Sequence, residues 1–484
     1  MTPPLIAHAD SAGPGKRLVA GSRTLDVDGR LATVFGLTGP DGKPGITLAP
    51  GERFRVDLVN QTSFRTIIHW HGQLPPWEQD GFPWKESPPI GSGMTKSYDY
   101  APIPGTFWMH SHQGMQEQSL MAAPLIVHSA ADLRADHQEI VLFLHDFSFR
   151  SPDVLLAGLT GQSPHAVHMM AREIENLPTD SAWEGRAASA STGGGMGSMS
   201  MGSMGGGMAM GSGMDLNDIA YDAFLANDRT LTDPATIAVA RNGRVRLRLI
   251  NGSSSSQFWV DFGGLTGTVI AADGHAVHPV RARHVPLAIA QRLDVLLEVP
   301  PGNAVPVLAT LEGSRRRTGI VLVPPRARVE RIAETAPTIA PAIDNRLERR
   351  LSATQGLAPR RADLLHRVVL SGRMKPYAWS LNGEFWPKVT PLMLIAGQRV
   401  VIELVNHSMM AHPMHLHGHK FQVVAINARP LKGAVRDTIL VPPMGSVRLA
   451  LDADNPGRWP FHCHNLYHMM TGMMTEFRYQ GVTV

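Results

Sequence analysis

The chain has 484 residues, 43% hydrophobic and 18% charged, with a formal net charge of +4 and a single cysteine. That length exceeds one hydrophobic core, so two to four domains are expected. The small charge, with no basic stripe interleaved with aromatics, argues against nucleic acid as a partner; no apolar run reaches about 18 residues, so no membrane span is expected; and one thiol forms no intrachain disulfide.

The opening "MTPPLIAHAD" lacks the charged and apolar regions of a signal peptide. The chain is therefore expected to be cytoplasmic, or a mature form whose leader has been removed. A weak repeat follows. "RFRVDLVN" (53–60), "RVRLRLIN" (244–251) and "RVVIELVN" (399–406) each begin with Arg, alternate apolar with polar residues, and close on Asn. Alternation at period two predicts half-buried strands, and Asn predicts a turn. Three copies predict an all-β protein of three related sandwich domains, consistent with 37 prolines and 47 glycines. The expected units are 1–132, 133–328, a Pro/Arg-rich connector at 329–361, and 362–484. The second unit contains "STGGGMGSMSMGSMGGGMAMGSGM" (191–214), seven methionines on a Gly/Ser background. Such a stretch has too little bulk for a core and is expected to be a mobile, exposed loop.

Chance gives about one His-x-His among 22 histidines in this length. The chain has five: His69/His71, His110/His112, His415/His417, His417/His419 and His462/His464. Residues i and i+2 of a strand share a face, so each pair presents two imidazoles side by side, as a metal site needs. Counting from the closing Asn of each repeat sharpens this. His69 and His71 follow Asn60 at the offsets at which His415 and His417 follow Asn406, whereas Val260 and Phe262 occupy those offsets after Asn251. The middle copy is apolar where the outer copies are expected to bind metal.

"GTFWMHSHQGMQEQSLM" (105–121) also aligns with "GRWPFHCHNLYHMMTGM" (457–473). His110 and His112 match His462 and His464, Ser111 matches Cys463, Gln116 matches His468, and Met121 matches Met473. Upstream, Thr66 stands where the third domain has His412. The first domain reads as a copy that has lost its cysteine-bearing site.

His412, Cys463 and His468 with Met473 form two imidazoles, a thiolate and a thioether, the ligand set of a blue-copper electron-transfer site. The eight histidines His69, His71, His110, His112, His415, His417, His462 and His464 suffice for three further copper ions. Zinc fits less well, because a structural site wants more cysteines and a catalytic one only three ligands. Strand alternation sends Cys463 to one side and both flanking histidines to the other, a short covalent bridge between the two sites.

"HWHG" (69–72), "HSH" (110–112), "HPMHLHGH" (412–419) and "HCHNLYHMMTGM" (462–473), in this order, resemble the multicopper oxidases, specifically three-domain bacterial laccase-like and cuprous-oxidase enzymes. The resemblance implies three cupredoxin-like Greek-key β-sandwich domains and four copper ions. It assigns His412, Cys463, His468 and axial Met473 to type 1 copper, and His69 and His415 to type 2. It assigns His71, His110 and His464 to one type 3 copper, and His112, His417 and His462 to the other. The implied reaction is four one-electron oxidations of substrate coupled to reduction of O2 to water, with Cys463, His462 and His464 carrying the electrons. Asp80, in "WEQDGFPW", matches the acid that such enzymes place near the cluster, although a turn Asp before Gly81 is the plain alternative. The second acid of many relatives is replaced here by Met469.

Thioethers are soft and suit Cu(I). Met196, Met199, Met201, Met204, Met208, Met210 and Met214, with Met409 and Met410, are therefore the expected recruiters of cuprous substrate. Ser408 stands where related enzymes often have a carboxylate. The alternatives are a laccase acting on phenols or aromatic amines, and a non-enzymatic copper-sequestering protein. By the same resemblance the protein is expected in the periplasm or another extracytoplasmic space.

Overall fold

A computed structural model describes residues 15–167 and 216–482. The methionines at 196–214 lie outside these residues. Strand accounts for 47% of the described residues and helix for 7%, so the protein is all-β. Six sheets form three two-sheet sandwiches. The first has Lys16–Val27, Arg30–Thr38, Phe54–Asn60 and Thr95–Tyr100 in one sheet, and Ile46–Leu48, Ala122–Val127, Gly105–Ser111 and Ile68–His69 in the other. The third repeats this plan, with Arg399–Asn406 in one sheet and His412–Leu416 beside Arg458–Cys463 in the other. No helix among the described residues is long and apolar enough to cross a membrane.

The three repeated segments are equivalent strands. Phe54–Asn60 alternates strictly between buried and half-buried positions, as the period-two pattern requires. Each pairs in parallel with the first long strand of its sandwich: Leu18 faces Leu58, Ile140 faces Leu247, and Val368 faces Leu404.

The closing asparagines do the same work three times. The side-chain amide of Asn60 donates to the carbonyls of Phe64 (2.7 Å) and Ile90 (3.0 Å), and its oxygen accepts from the Thr62 amide at 3.0 Å. Asn251 bonds Ser256, Leu287 and Ser253 in the same way, and Asn406 bonds Met410, Val441 and Ser408. This bracket turns the chain from one sheet onto the other, where the metal-type residues stand. Asn251→Leu strips two buried carbonyls of their donor. It is expected to cost about 2–4 kcal/mol, read as a lowered melting temperature of copper-free protein. A melting curve identical to wild type would show that the bracket adds nothing.

The middle sandwich is apolar at the matching offsets, with Val260 and Phe262 wholly buried in its core. Part of the 329–361 stretch is clamped between neighbours. The Ile343 amide donates to Glu312 of the second sandwich (2.8 Å), and Asn345 donates to the Leu440 carbonyl of the third (3.2 Å). Glu348 pairs with Arg436 at 2.8 Å.

Candidate metal centre

The two sheets that carry the histidines share one register. Ile68 pairs with Ser111 and His69 with His110 in the first sandwich; Met414 pairs with Cys463 and His415 with His462 in the third. Each strand pair delivers one histidine face, and the two faces meet between the sandwiches. Trp70, Met109, Met414 and Leu416 point the other way into the cores.

At one end of the third sandwich, Cys463 Sγ lies 3.7 Å from His412 Nδ1 and 3.6 Å from His468 Nδ1, and the two nitrogens are 3.1 Å apart. The centre of that triangle is about 2 Å from each donor, a metal–ligand distance. Both imidazoles are aimed by their far nitrogens. His412 Nε2 is 2.8 Å from Ser408 Oγ, and His468 Nε2 lies 3.1 Å from an Asp218 carboxylate oxygen. His468 rides on the short helix Leu466–Met470, capped by the Asn465 side chain. The Met473 amide donates to the His468 carbonyl, its carbonyl accepts from the Cys463 amide, both at 3.0 Å, and its side chain is fully buried. Burial pushes the Cys463 thiol well up from its ordinary range, and burial followed by His468 pushes His412 well down. A buried thiol beside an uncharged imidazole becomes a thiolate when a cation joins them.

The other eight histidines are all buried between the first and third sandwiches. Their ring nitrogens meet in pairs, His69 with His415 at 3.3 Å and His110 with His464 at 3.4 Å across the boundary, and His417 with His462 at 3.0 Å within the third sandwich, each Nε2 to Nε2. In five of these six rings, Nδ1 faces an acceptor. His69 and His415 donate to the carbonyls of Asp80 and Asp437 (both 2.9 Å), His462 to that of Cys463 (3.0 Å), and His417 and His110 face carboxylates. The facing Nε2 atoms then carry lone pairs directed at each other, an arrangement a cation relieves. Nδ1 of His71 and Nε2 of His112 have no hydrogen-bond partner. His71 is turned round relative to the others because its Nε2 is occupied by Asp437 and Thr438, both at 3.1 Å. Burial, reinforced by neighbouring imidazoles, holds His71, His110, His112, His415, His417 and His464 well below the ordinary range. Burial takes His462 down to about 4. Neutral imidazole is the form that ligates metal.

Three buried carboxylates each face one histidine from the first sandwich and one from the third. Asp80 reaches His417 Nδ1 at 2.7 Å and His69 Nδ1 at 3.2 Å. Glu117 reaches His110 Nδ1 at 2.7 Å and lies 3.8 Å from His464 Nδ1. Asp437 lies 3.1 Å from His71 Nε2 and 3.6 Å from His415 Nδ1. Of these acids, Asp80 stands in a motif recognisable from sequence, whereas Glu117, Asp437 and Asp218 do not. Glu117 sits five residues after His112 in an already aligned segment, a signal that was available. Asp437 and Asp218 are single acids in unremarkable surroundings.

The first sandwich shows what replaces a mononuclear site. Thr66 Oγ1 and Ser111 Oγ both donate to Gln116 Oε1 at 2.8 Å, and Gln116 Nε2 donates to the Arg65 carbonyl at 2.7 Å. The backbone is unchanged: Ser111 donates to Met121 and Met121 to Gln116, as Cys463 does to Met473 and Met473 to His468. Neutral hydrogen bonds fill the space that imidazole and thiol fill in the third sandwich.

Met409 is exposed and Met410 half-buried, on the segment that leads through Ser408 to His412. The residues at 196–214 lie outside the described structure.

Three cupredoxin-like sandwiches, with a sulfur–imidazole site joined through one cysteine to an eight-imidazole cluster, define a copper-dependent oxidase fold. Family models described as multicopper oxidase match residues 21–132, 204–305 and 359–481. The chain is 30% identical over 468 residues to multicopper oxidase MmcO of Mycobacterium tuberculosis, covering 94% of this chain and 85% of that protein. It is 26% identical to copper resistance protein A of Pseudomonas syringae pv. tomato, covering 95% and 92%. The crystal structure of McoA multicopper oxidase from Aquifex aeolicus shares the fold, with a TM-score of 0.67 at 22% identity over 96% of each chain. The chain belongs to the multicopper oxidase family, an oxidoreductase family that uses copper.

Proposed function

We propose that this protein oxidises Cu(I) in four one-electron steps and reduces O2 to water. In this reading the units 1–132 and 362–484 carry four copper ions and 133–328 carries none. His412, Cys463, His468 and Met473 hold the type 1 ion, and His69 and His415 the type 2 ion. His71, His110 and His464 hold one type 3 ion, and His112, His417 and His462 the other. The three Nε2 pairs support this division, since each joins two histidines assigned to one ion. When bound, copper supplies one-electron exchange at the thiolate site and oxygen reduction at the cluster.

The chain's own groups do the rest. Cys463 passes its peptide bonds to His462 and His464, so electrons have a covalent route. Asp80, buried between His69 and His417, is the group placed to hold and deliver protons at the cluster. Ser408 and Asp218 keep both Nδ1 atoms directed at the sulfur.

The observation that carries the substrate is the position of Asp218. Its carboxylate faces His468, and it follows Met214 by four residues. Four residues span at most about 14 Å, a chain-length bound that supports Met214 lying within reach of the electron-accepting imidazole. Met409 and Met410 directly follow Ser408, which bonds the other imidazole. Oxidation of phenols or aromatic amines is the second reading, supported by the 24% identity to laccase-2 of Botryotinia fuckeliana. By family resemblance the compartment in this reading is the periplasm or another extracytoplasmic space.

Deleting 191–214 is expected to lower kcat/KM for Cu(I) at least about tenfold and to leave phenol oxidation within about twofold. Steady-state oxygen consumption with each reductant measures this. Equal losses on both reductants would overturn selective recruitment.

A further inference from the structure

The geometry points to Arg292 as a positioning residue for the histidine cluster, through which the middle sandwich, bearing no ligand, controls the metal site. This rests on the ligand assignment above. Of the three carboxylates at the cluster, Asp437 is the one gripped by a guanidinium among the described residues. Arg292 Nη1 donates to Asp437 Oδ1 at 2.7 Å, and Nη2 to Oδ2, a bidentate pair with both partners wholly buried. Such a fork fixes the plane of a carboxylate as a point charge does not. Asp437 in turn meets Nε2 of His71, which leaves Nδ1 of that ring toward the cluster, and its carbonyl accepts from His415 Nδ1.

Arg292 touches all three sandwiches. It heads the strand Arg292–Glu298 of the second, and Nη1 also donates to the Ala290 carbonyl there, at 3.0 Å. Its Nε donates to the Thr106 carbonyl of the first at 3.2 Å, and the guanidinium lies 5.5 Å from the Phe107 ring. Two neighbours grip the same segment: Gln291 Nε2 donates to the Thr438 carbonyl at 3.3 Å, and the Thr438 amide donates to Asp273 at 3.3 Å.

A third observation comes from the residue after His71. Gly72 has φ +83°, and a Cβ there would stand 2.6 Å from Arg292 Nη2 and closer still to Asp437 Oδ2. The glycine of "HWHG" is thus the space into which the ion pair packs. The pair presses on the backbone beside His71 as well as on its ring.

Arg292→Gln keeps a buried amide but loses the charge and the fork. In copper-reconstituted protein it is expected to lower retention of type 2 and type 3 copper against a chelator about 10- to 100-fold. The type 2 paramagnetic resonance signal should be altered or lost, while the visible type 1 band keeps its wild-type intensity. Arg248→Met supplies the comparison. Arg248 is an equally buried arginine of the same sandwich, bound to Glu139, Thr106 and Asp294 and to no histidine. It is expected to lower the melting temperature without changing the type 2 signal. Arg292→Lys, which keeps the charge without the fork, decides the matter if Arg292→Gln does not fold, and is expected to show the same selective loss in smaller measure. Wild-type copper retention and type 2 signal in the folded Arg292 variant would overturn the inference, as would equal loss of type 1 and cluster copper. A wild-type protein without any type 2 signal would overturn the ligand assignment itself, and this inference with it.

Discussion

Replacing Cys463 with serine is expected to abolish the intense visible absorption of the copper-loaded protein and its oxygen consumption, while the eight-histidine cluster keeps its copper. Sγ is the thiolate that makes such a site strongly coloured and fast in electron exchange. It touches His412 and His468 and no cluster histidine. The bonds that orient the cluster near it use its backbone: the Cys463 carbonyl accepts from His462 Nδ1. Serine disturbs none of these. The first sandwich already holds a serine at the matching place, with His110 and His112 on either side and both buried at the cluster. The fold therefore accepts the change. The visible spectrum, copper count and type 2 resonance signal of the purified variant measure the outcome. A retained blue band would remove Cys463 from the site, and loss of all copper would mean that the two sites are not independent.

Asp80→Asn is expected to slow turnover about 10²- to 10⁴-fold while leaving the blue band and copper content intact. The asparagine oxygen can still accept from His417 Nδ1, so the ring stays oriented. What is lost, in the proposed role, is a carboxylate able to take and give a proton in a buried place, where Oδ1 has no hydrogen-bond partner. The loss should fall on the oxygen-dependent half of the cycle. Anaerobic reduction of the blue site by substrate should run at the wild-type rate, because Asp80 faces the cluster and not His412, Cys463 or His468. Stopped-flow measurement of the two halves separates them. Unchanged turnover would leave Asp80 with the structural role of a buried hydrogen-bond acceptor.

The histidine pairs were legible in the sequence because strand alternation is a local rule. Two imidazoles at i and i+2 share a face wherever the strand lies. The repeat was legible for a similar reason. Its Asn bonds atoms within a few residues on one side, Thr62 and Phe64 for Asn60, so the turn is encoded nearby. The second bond of each Asn, to Ile90, Leu287 or Val441, reaches a segment 30 to 36 residues away and left no local mark. The loss of the mononuclear site in the first copy was readable as Thr66, Ser111 and Gln116. That these three side chains close on one another was not readable, because it needs the register of three separate segments.

The acids divide in the same way. Asp80 lies eleven residues from His69 inside a recognisable motif. Glu117, Asp437 and Asp218 are ordinary carboxylates until folding removes water around them and brings each to an imidazole nitrogen. Arg292 lies 145 residues from Asp437 in the chain, and its buried position reads from sequence as one more charged residue at a strand start.

The sequence by itself determined the all-β class, the strands that present imidazoles in pairs, and the one thiol set between two of them, since each depends on spacing within a few residues. The tertiary structure alone decided which imidazoles face which across the first and third sandwiches, which ring nitrogen of each is left for metal, and which acids and which arginine hold them there. Many of those choices are made by side chains far apart in the chain, 354 residues for His110 and His464, and burial makes them matter: away from water an unpartnered charge or ring nitrogen is costly, and the fold determines what each one meets.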